Sequence, residues 1–156
     1  MADTKYYLRN IGLTVLTFAA LGAIVYISFA QKGGYENLSV REVKERIDSG
    51  DNDYVLIDVR TSEEYTGKLG HLENAPLYPV QNLDIQYHDL ETYQDAGKDM
   101  FIYCRSGNRS RRAAEFLRKQ GFTNLYNMEG GMRMWNAEYG RPDGSDTPPL
   151  NTKELQ

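Results

Sequence analysis

The sequence is poor in the groups that usually announce a function. It has one cysteine, Cys104, so no intrachain disulfide can form and no multi-cysteine zinc site can be built. Its two histidines, His71 and His88, are too few and too scattered to make a metal site. Lysine and arginine (18 together) are outnumbered by aspartate and glutamate (22), a net charge of −4, which argues against a general nucleic-acid binder. No internal repeat is visible. The 156 residues leave room for one domain of common size.

What the sequence does have begins with one uncharged stretch. Residues 1–10 are a short polar segment with Lys5 and Arg9, and residues 11–30 then run without a charge. At about 1.5 Å per residue a helix of that length spans about 30 Å, the thickness of a bilayer core. A helix inside a soluble core would be interrupted by polar residues, so this segment is expected to be a membrane anchor or an export signal. Small residues in Ser28-Phe29-Ala30 suit cleavage after Ala30, whereas the length of the run favours an uncleaved anchor. Lys5 and Arg9 favour a cytoplasmic N-terminus, against which stand Lys32, Arg41, Lys44 and Arg46 after the run. The expected locations are therefore a membrane-anchored domain facing the periplasm or the outside, or a periplasmic or secreted protein if cleaved. Residues 31–34 read as a linker, and the polar, proline-containing residues 143–156 as a disordered tail.

The stretch between, residues 35–142, alternates strand and helix signals. Ser39 with Glu42 three residues on makes a capping box, Val40, Val43 and Ile47 keep helical spacing, and Gly50 stops the helix. Asp53-Tyr-Val-Leu-Ile-Asp58 is a nearly continuous apolar run, the mark of a strand buried on both faces. Ser62-Glu-Glu-Tyr65 reads as a short helix after Thr61. Ala75-Pro-Leu-Tyr-Pro79 reads as a short edge strand, where proline is tolerated. Leu83, Tyr87, Leu90 and Tyr93 predict a helix over residues 81–93. Thr123-Asn-Leu-Tyr-Asn-Met128 reads as another strand, Glu129-Gly-Gly131 as a turn with unusual backbone angles, and residues 132–139 as a last helix with Trp135 packed inward. Such alternation implies an open parallel sheet covered by helices on both faces.

The most informative stretch lies in the middle. Met100-Phe-Ile-Tyr103 reads as a buried strand that ends at Cys104; a short polar loop follows; then residues 110–120 read as a helix with Ala113, Phe116, Leu117 and Gln120 on one face, stopped by Gly121. The first turn of a helix carries unpartnered N–H groups and partial positive charge, and a loop ahead of it can aim more N–H groups at one point. A thiol there ionises more easily, because those donors stabilise the thiolate. Arg105 and Arg109 stand on either side. A lone cysteine is ordinarily a small buried hydrophobe, but a packing cysteine has no need of flanking arginines. Cys104 and Asp58-Val-Arg60 both fall at carboxyl ends of predicted strands, where sites in such sheets lie.

These stretches also resemble a known family. Cys104-Arg-Ser-Gly-Asn-Arg109 resembles the active-site loop of rhodanese-type sulfurtransferases. Val55-Leu-Ile-Asp-Val-Arg60, Thr61-Ser-Glu-Glu-Tyr65, Gly70-His71, and Glu129-Gly-Gly131 with Trp135 and Gly140-Arg-Pro142 resemble its other motifs, in order. Glu73-Asn74 departs from the Pro-Gly pair common in the family, which bears on loop shape. The resemblance implies a rhodanese-like α/β fold preceded by one hydrophobic helix. It implies a sulfurtransferase that moves sulfane sulfur from a thiosulfate-like anion to a thiol, cyanide or a sulfur-accepting protein. Cys104 would be the nucleophile, carrying the sulfur as a persulfide with no other cofactor. Arg105, Ser106, Gly107, Asn108, Arg109 and Arg60 would contact substrate, Arg60 being equally suited to a structural ion pair, while Asp58 and His71 would be structural neighbours. Partners are expected to be these small molecules and the membrane, not nucleic acid. Two alternatives stay open. One is a persulfide carrier or binding module without turnover. The other is a cysteine phosphatase or arsenate reductase, whose loops carry one more residue between cysteine and arginine and need an acid that the sequence does not display.

Overall fold

The computed structural model describes residues 34–50 and 53–142. The expected anchor or signal over residues 11–30, with its cleavage point at Ala30, most of the linker and the expected tail over 143–156 lie outside the described residues. Among the described residues no helix is long and apolar enough to cross a membrane.

Four strands form one parallel sheet: β1 (Tyr35–Ser39), β2 (Tyr54–Asp58), β3 (Asp99–Tyr103) and β4 (Leu125–Glu129), in the order β1-β4-β3-β2. The two apolar runs read from the sequence become β2 and β3, each buried over its last four residues. Successive side chains alternate faces. Val55, Ile57, Met100 and Ile102 pack on one side, and Leu56, Phe101 and Tyr103 on the other. Fully burying a side chain such as Ile57 or Ile102 contributes about 1.5–3 kcal/mol.

Helices cover both faces. On one lie α1 (Val40–Asp48) and the last helix, α6 (Gly131–Tyr139), which bring Val40, Val43, Met132 and Trp135 onto Phe101 and Met128. The capping box of α1 is formed: Ser39 Oγ accepts from the Glu42 N–H, and the Glu42 carboxylate accepts from the Ser39 N–H. On the other face lies α5 (Asn108–Lys119), which presents Ala113, Ala114 and Leu117. It begins two residues earlier than its apolar pattern indicates. Its inward face takes Ser110 and Ala114, leaving Phe116 half-buried and Gln120 exposed.

Three local features differ from the sequence expectation. Residues 35–39 form a strand that the pattern does not reveal, because this edge strand buries only Leu38. The single helix expected over 81–93 is broken into 3₁₀ turns at Val80–Asn82 and Tyr87–Leu90 and two short helices, α3 (Leu83–Gln86) and α4 (Glu91–Asp95). The steps from Tyr87 to Leu90 to Tyr93 are three residues each, closer to a 3₁₀ period than to 3.6. Residues 75–79 make only one bridge, Asp58 to Leu77, beside β2; Pro76 and Pro79 have no N–H with which to extend a ladder. Where the family often has glycine, Asn74 holds the left-handed conformation (φ 57°), which asparagine tolerates. The sites where β2, β3 and β4 end therefore share one rim of the sheet, with the helix α2 (Ser62–Tyr65) beside them.

Candidate active site

Cys104 sits one residue past the Asp58–Tyr103 pair that closes the β2–β3 ladder. Its carbonyl accepts the Met132 N–H at 2.9 Å, and the Arg105 carbonyl accepts the Arg133 N–H at 3.0 Å. The first turn of α6 thus takes the carbonyl side of the loop, and the amide side is left to face the sulfur. The Gly107 N–H donates to Cys104 Sγ at 3.2 Å, and the Ser110 hydroxyl lies 3.5 Å from it.

Two glycines permit this packing. Gly107 has φ 91°, and a Cβ there would meet the Gly130 nitrogen at 3.2 Å. Gly131 has φ 53°, and a Cβ there would lie 2.3 Å from the Cys104 carbonyl oxygen. Only a bare backbone lets α6 approach the loop this closely.

Cys104 is 1% exposed. Burial is the largest influence on its thiol and pushes the pKa up. The Ser110 hydroxyl, with the N–H groups of Ser110, Ser106 and Arg109, together outweighs burial and holds the thiol below its ordinary value. The sulfur is thus buried, but among amide donors directed toward it.

Ser110 and Asn127 are polar residues the sequence reading did not single out. Ser110, fully buried, is 2.6 Å from Asn127 Oδ1 and 3.0 Å from the Gly107 carbonyl; Asn127 Nδ2 donates to Asn37 Oδ1 at 2.8 Å. The available signal is an asparagine set between Leu125, Tyr126 and Met128 in β4. Asn37 and Asn127 border, with Ser106, Gly107, Asn108 and Glu129, a polar cavity of about 300 Å³ beside the loop.

The arginines separate into three environments. Arg105 is exposed. Arg109 lies beside the sulfur, which together with Glu64 raises its pKa, Glu64 having the larger influence. Both guanidinium Nη atoms donate to the Glu64 carboxylate at 2.6 Å. Glu64 was also missed. Its place three residues after Thr61 is legible as a capping box, which the structure forms, but its meeting with Arg109 joins residues 45 apart in the chain. Arg109 holds the Glu64 carboxyl below the usual range, so Glu64 is ionised at neutral pH and is not the acid a phosphatase needs.

Arg60, for which a substrate contact and a structural ion pair are equally expected from the sequence, forms the ion pair. It is fully buried; its Nε and Nη2 donate to Asp58 at 2.9 and 2.6 Å, and Nη2 also donates to the Gly70 carbonyl at 2.7 Å. Asp58 additionally accepts the Arg60 N–H at 2.9 Å. His71 stacks on Tyr65, ring centroids 3.7 Å apart, and its Nδ1 is 3.1 Å from the Tyr65 carbonyl. Among the described residues no cluster of three or more His, Cys, Asp or Glu side chains is placed to hold a metal.

A cysteine loop closed by a helix N-terminus on the rim of this sheet is matched at family level. The model of the rhodanese-like domain fits residues 39–138. The chain belongs to the rhodanese-like family. Its curated relatives include the uncharacterized protein YqhL of Bacillus subtilis, 37% identical over 83 residues (53% of this chain, 61% of YqhL). The putative sulfur carrier protein YrkF of the same organism is 29% identical over 146 residues (88% of this chain, 75% of YrkF). The thiosulfate sulfurtransferase GlpE of Ectopseudomonas mendocina is 31% identical over 88 residues (56% of this chain, 75% of GlpE). This chain thus spans less than two thirds of YqhL and three quarters of the other two. The crystal structure of a rhodanese-related protein from Thermoplasma volcanium matches with TM-score 0.57 and 30% identity, covering 67% of this chain and 94% of that one. This rhodanese-like chain therefore has relatives named as sulfurtransferases and as a sulfur carrier.

Proposed function

We propose that this rhodanese-like domain is a sulfurtransferase acting through a persulfide on Cys104. The observation that carries the reading is the set of amide donors directed at Sγ, with Gly107 N–H at 3.2 Å. In the first half-reaction the Cys104 thiolate attacks the outer sulfur of a sulfane donor such as thiosulfate. A new S–S bond forms, the old one breaks, and sulfite leaves with the bonding pair. The loop amides stabilise the negative terminal sulfur as an oxyanion hole stabilises oxygen. In the second half-reaction a thiol or cyanide attacks that outer sulfur and the Cys104 thiolate is released. The two steps predict ping-pong kinetics and need no cofactor. Support for thiosulfate as a donor comes from the likeness to GlpE.

The likeness to YrkF supports a second reading, a carrier that loads sulfur and passes it to one partner protein. Mass spectrometry after thiosulfate treatment tests both. An added sulfur on the wild type, absent from Cys104→Ser and removed by cyanide with turnover, supports the enzyme. Loading without release to free thiols or cyanide supports the carrier, and no loading rejects both.

The expected anchor or signal over residues 11–30 rests on its apolar length and carries the proposal of a location at the membrane or beyond it. N-terminal sequencing of the mature protein would distinguish retention from cleavage after Ala30.

A further inference from the structure

Glu64 and Arg109 reach the site from different elements, Glu64 from α2 after β2 and Arg109 from the first turn of α5. They meet in a two-point pair, Nη1 to Oε2 and Nη2 to Oε1, each 2.6 Å. Glu64 is fixed independently of Arg109. Its Oε2 also lies 3.3 Å from the Thr61 N–H, while its own N–H donates to Thr61 Oγ1 at 3.3 Å. The carboxylate is thus held at the start of a helix whether or not the arginine is present. Arg109 follows the Cys104 loop directly, in the first turn of α5, and the sulfur is one of the influences that raise its pKa, after Glu64. Arg60 is held inside the fold by Asp58, and Arg105 extends into solvent. The thiolate therefore faces an arginine whose charge is already matched.

We infer that Glu64 is a specificity-determining residue: by clamping Arg109 it withholds positive charge from doubly charged donors such as thiosulfate and turns the site toward singly charged sulfane donors. The inference rests on the sulfur-transfer reading above and refines its donor class. A dianion approaching a thiolate gains more from a free guanidinium than a monoanion does, because the attraction scales with charge. The neutral ion pair gives little to either. Both donor types react at the same atom. Thiosulfate loses sulfite, and an organic thiosulfonate loses a sulfinate, in each case with the pair from the broken S–S bond.

The test compares thiosulfate (two negative charges) with methanethiosulfonate (one) as donors, with cyanide as acceptor, for wild type, Glu64→Gln and Glu64→Asp. Glutamine also serves at the third position of a capping box. The ratio of kcat/KM for thiosulfate over methanethiosulfonate should rise about three- to tenfold in Glu64→Gln, through a lower KM for thiosulfate. Glu64→Asp keeps the charge and should stay within about twofold of wild type. A site that was merely loosened would change both donors alike. Should Glu64→Gln lose its fold, Arg109→Gln provides the converse test, since uncompensated Glu64 should then lower the ratio. An unchanged ratio in either folded variant, or an equal rise in Glu64→Asp, overturns the inference while leaving sulfur transfer standing. If the wild type takes sulfur from neither donor, the sulfurtransferase reading fails, and this inference with it.

Discussion

The Ser110 hydroxyl lies 2.6 Å from Asn127 Oδ1, with the Gly107 carbonyl at 3.0 Å and Cys104 Sγ at 3.5 Å as further acceptors. A serine has one proton to donate, so Asn127, the Gly107 carbonyl and the sulfur compete for it. Opposite predictions follow for the two partners. Ser110→Ala removes a donor and should raise the thiol pKa, lowering the population of thiolate. Loading at neutral pH should fall about fivefold, the equivalent of one hydrogen bond of about 1 kcal/mol. Asn127→Ala removes the nearest competitor, so the sulfur shares the proton with the Gly107 carbonyl alone, and should lower the thiol pKa further, while costing about 1–3 kcal/mol of stability through the broken buried network. Alkylation rate against pH, read beside urea denaturation, checks both signs.

The thiol itself makes a linkage prediction. Its folded pKa lies below its ordinary value, because the Ser110 hydroxyl and the loop amides outweigh burial. Iodoacetamide alkylation should therefore titrate below the roughly 8.5 of a free cysteine. Between the folded and unfolded values the folded state has released its proton and the unfolded state has not, so stability rises with pH across that window. The contribution is complete above the unfolded value and is lost as pH falls through the folded one. Cys104→Ser should flatten this part of the stability profile. A Cys104 midpoint at or above 8.5 would contradict the arrangement of donors.

Gly131 sets the loop's position. It has φ 53°, and a Cβ there would come within 2.3 Å of the Cys104 carbonyl oxygen and 2.8 Å of the Ser106 nitrogen. Gly131→Ala should push the loop away from α6 and spoil the aim of the amides. A displacement of about 1 Å can cost about a hundredfold in rate. Sulfur loading should therefore fall by that order while the alkylation midpoint moves up. A variant that loads at the wild-type rate would show that the contact with α6 does not position the loop.

Much of this architecture is legible in the sequence because it depends on local pattern. The apolar runs at 53–58 and 100–103 could be read as buried strands, and the loop between Cys104 and the following helix could be recognised from its polar residues and glycine. β1 escaped because an edge strand that buries only Leu38 leaves no periodic trace. The helix expected over 81–93 broke because its apolar residues recur at steps that also fit 3₁₀ turns. At the site, Cys104 and its loop are contiguous and readable. Glu64 with Arg109, and Ser110 with Asn127, are made by tertiary approach, so residue types alone did not pair them. Arg60 shows the converse: its position beside Asp58 in sequence fits a structural ion pair and a substrate contact alike, and its complete burial against Asp58 is visible only in the structure.

That burial supports a last prediction. Arg60 and Asp58 are both 0% exposed and are joined at 2.6 Å. Arg60 also ties the end of β2 to the Gly70 carbonyl at 2.7 Å. Neutralising Asp58 alone, as in Asp58→Asn, leaves a buried guanidinium without its counter-charge. Breaking a buried pair on one side costs about 3–5 kcal/mol, much of the stability of a domain this size. Removing both charges together, as in Asp58→Leu with Arg60→Met, leaves no uncompensated ion and should cost less than Asp58→Asn, despite the lost bond to Gly70. If Arg60 acts only through the fold, the folded double variant should keep its donor KM within about twofold of wild type. Denaturation curves decide the first comparison and steady-state kinetics the second. A double variant that is stable but has a strongly raised donor KM would return Arg60 to the substrate site.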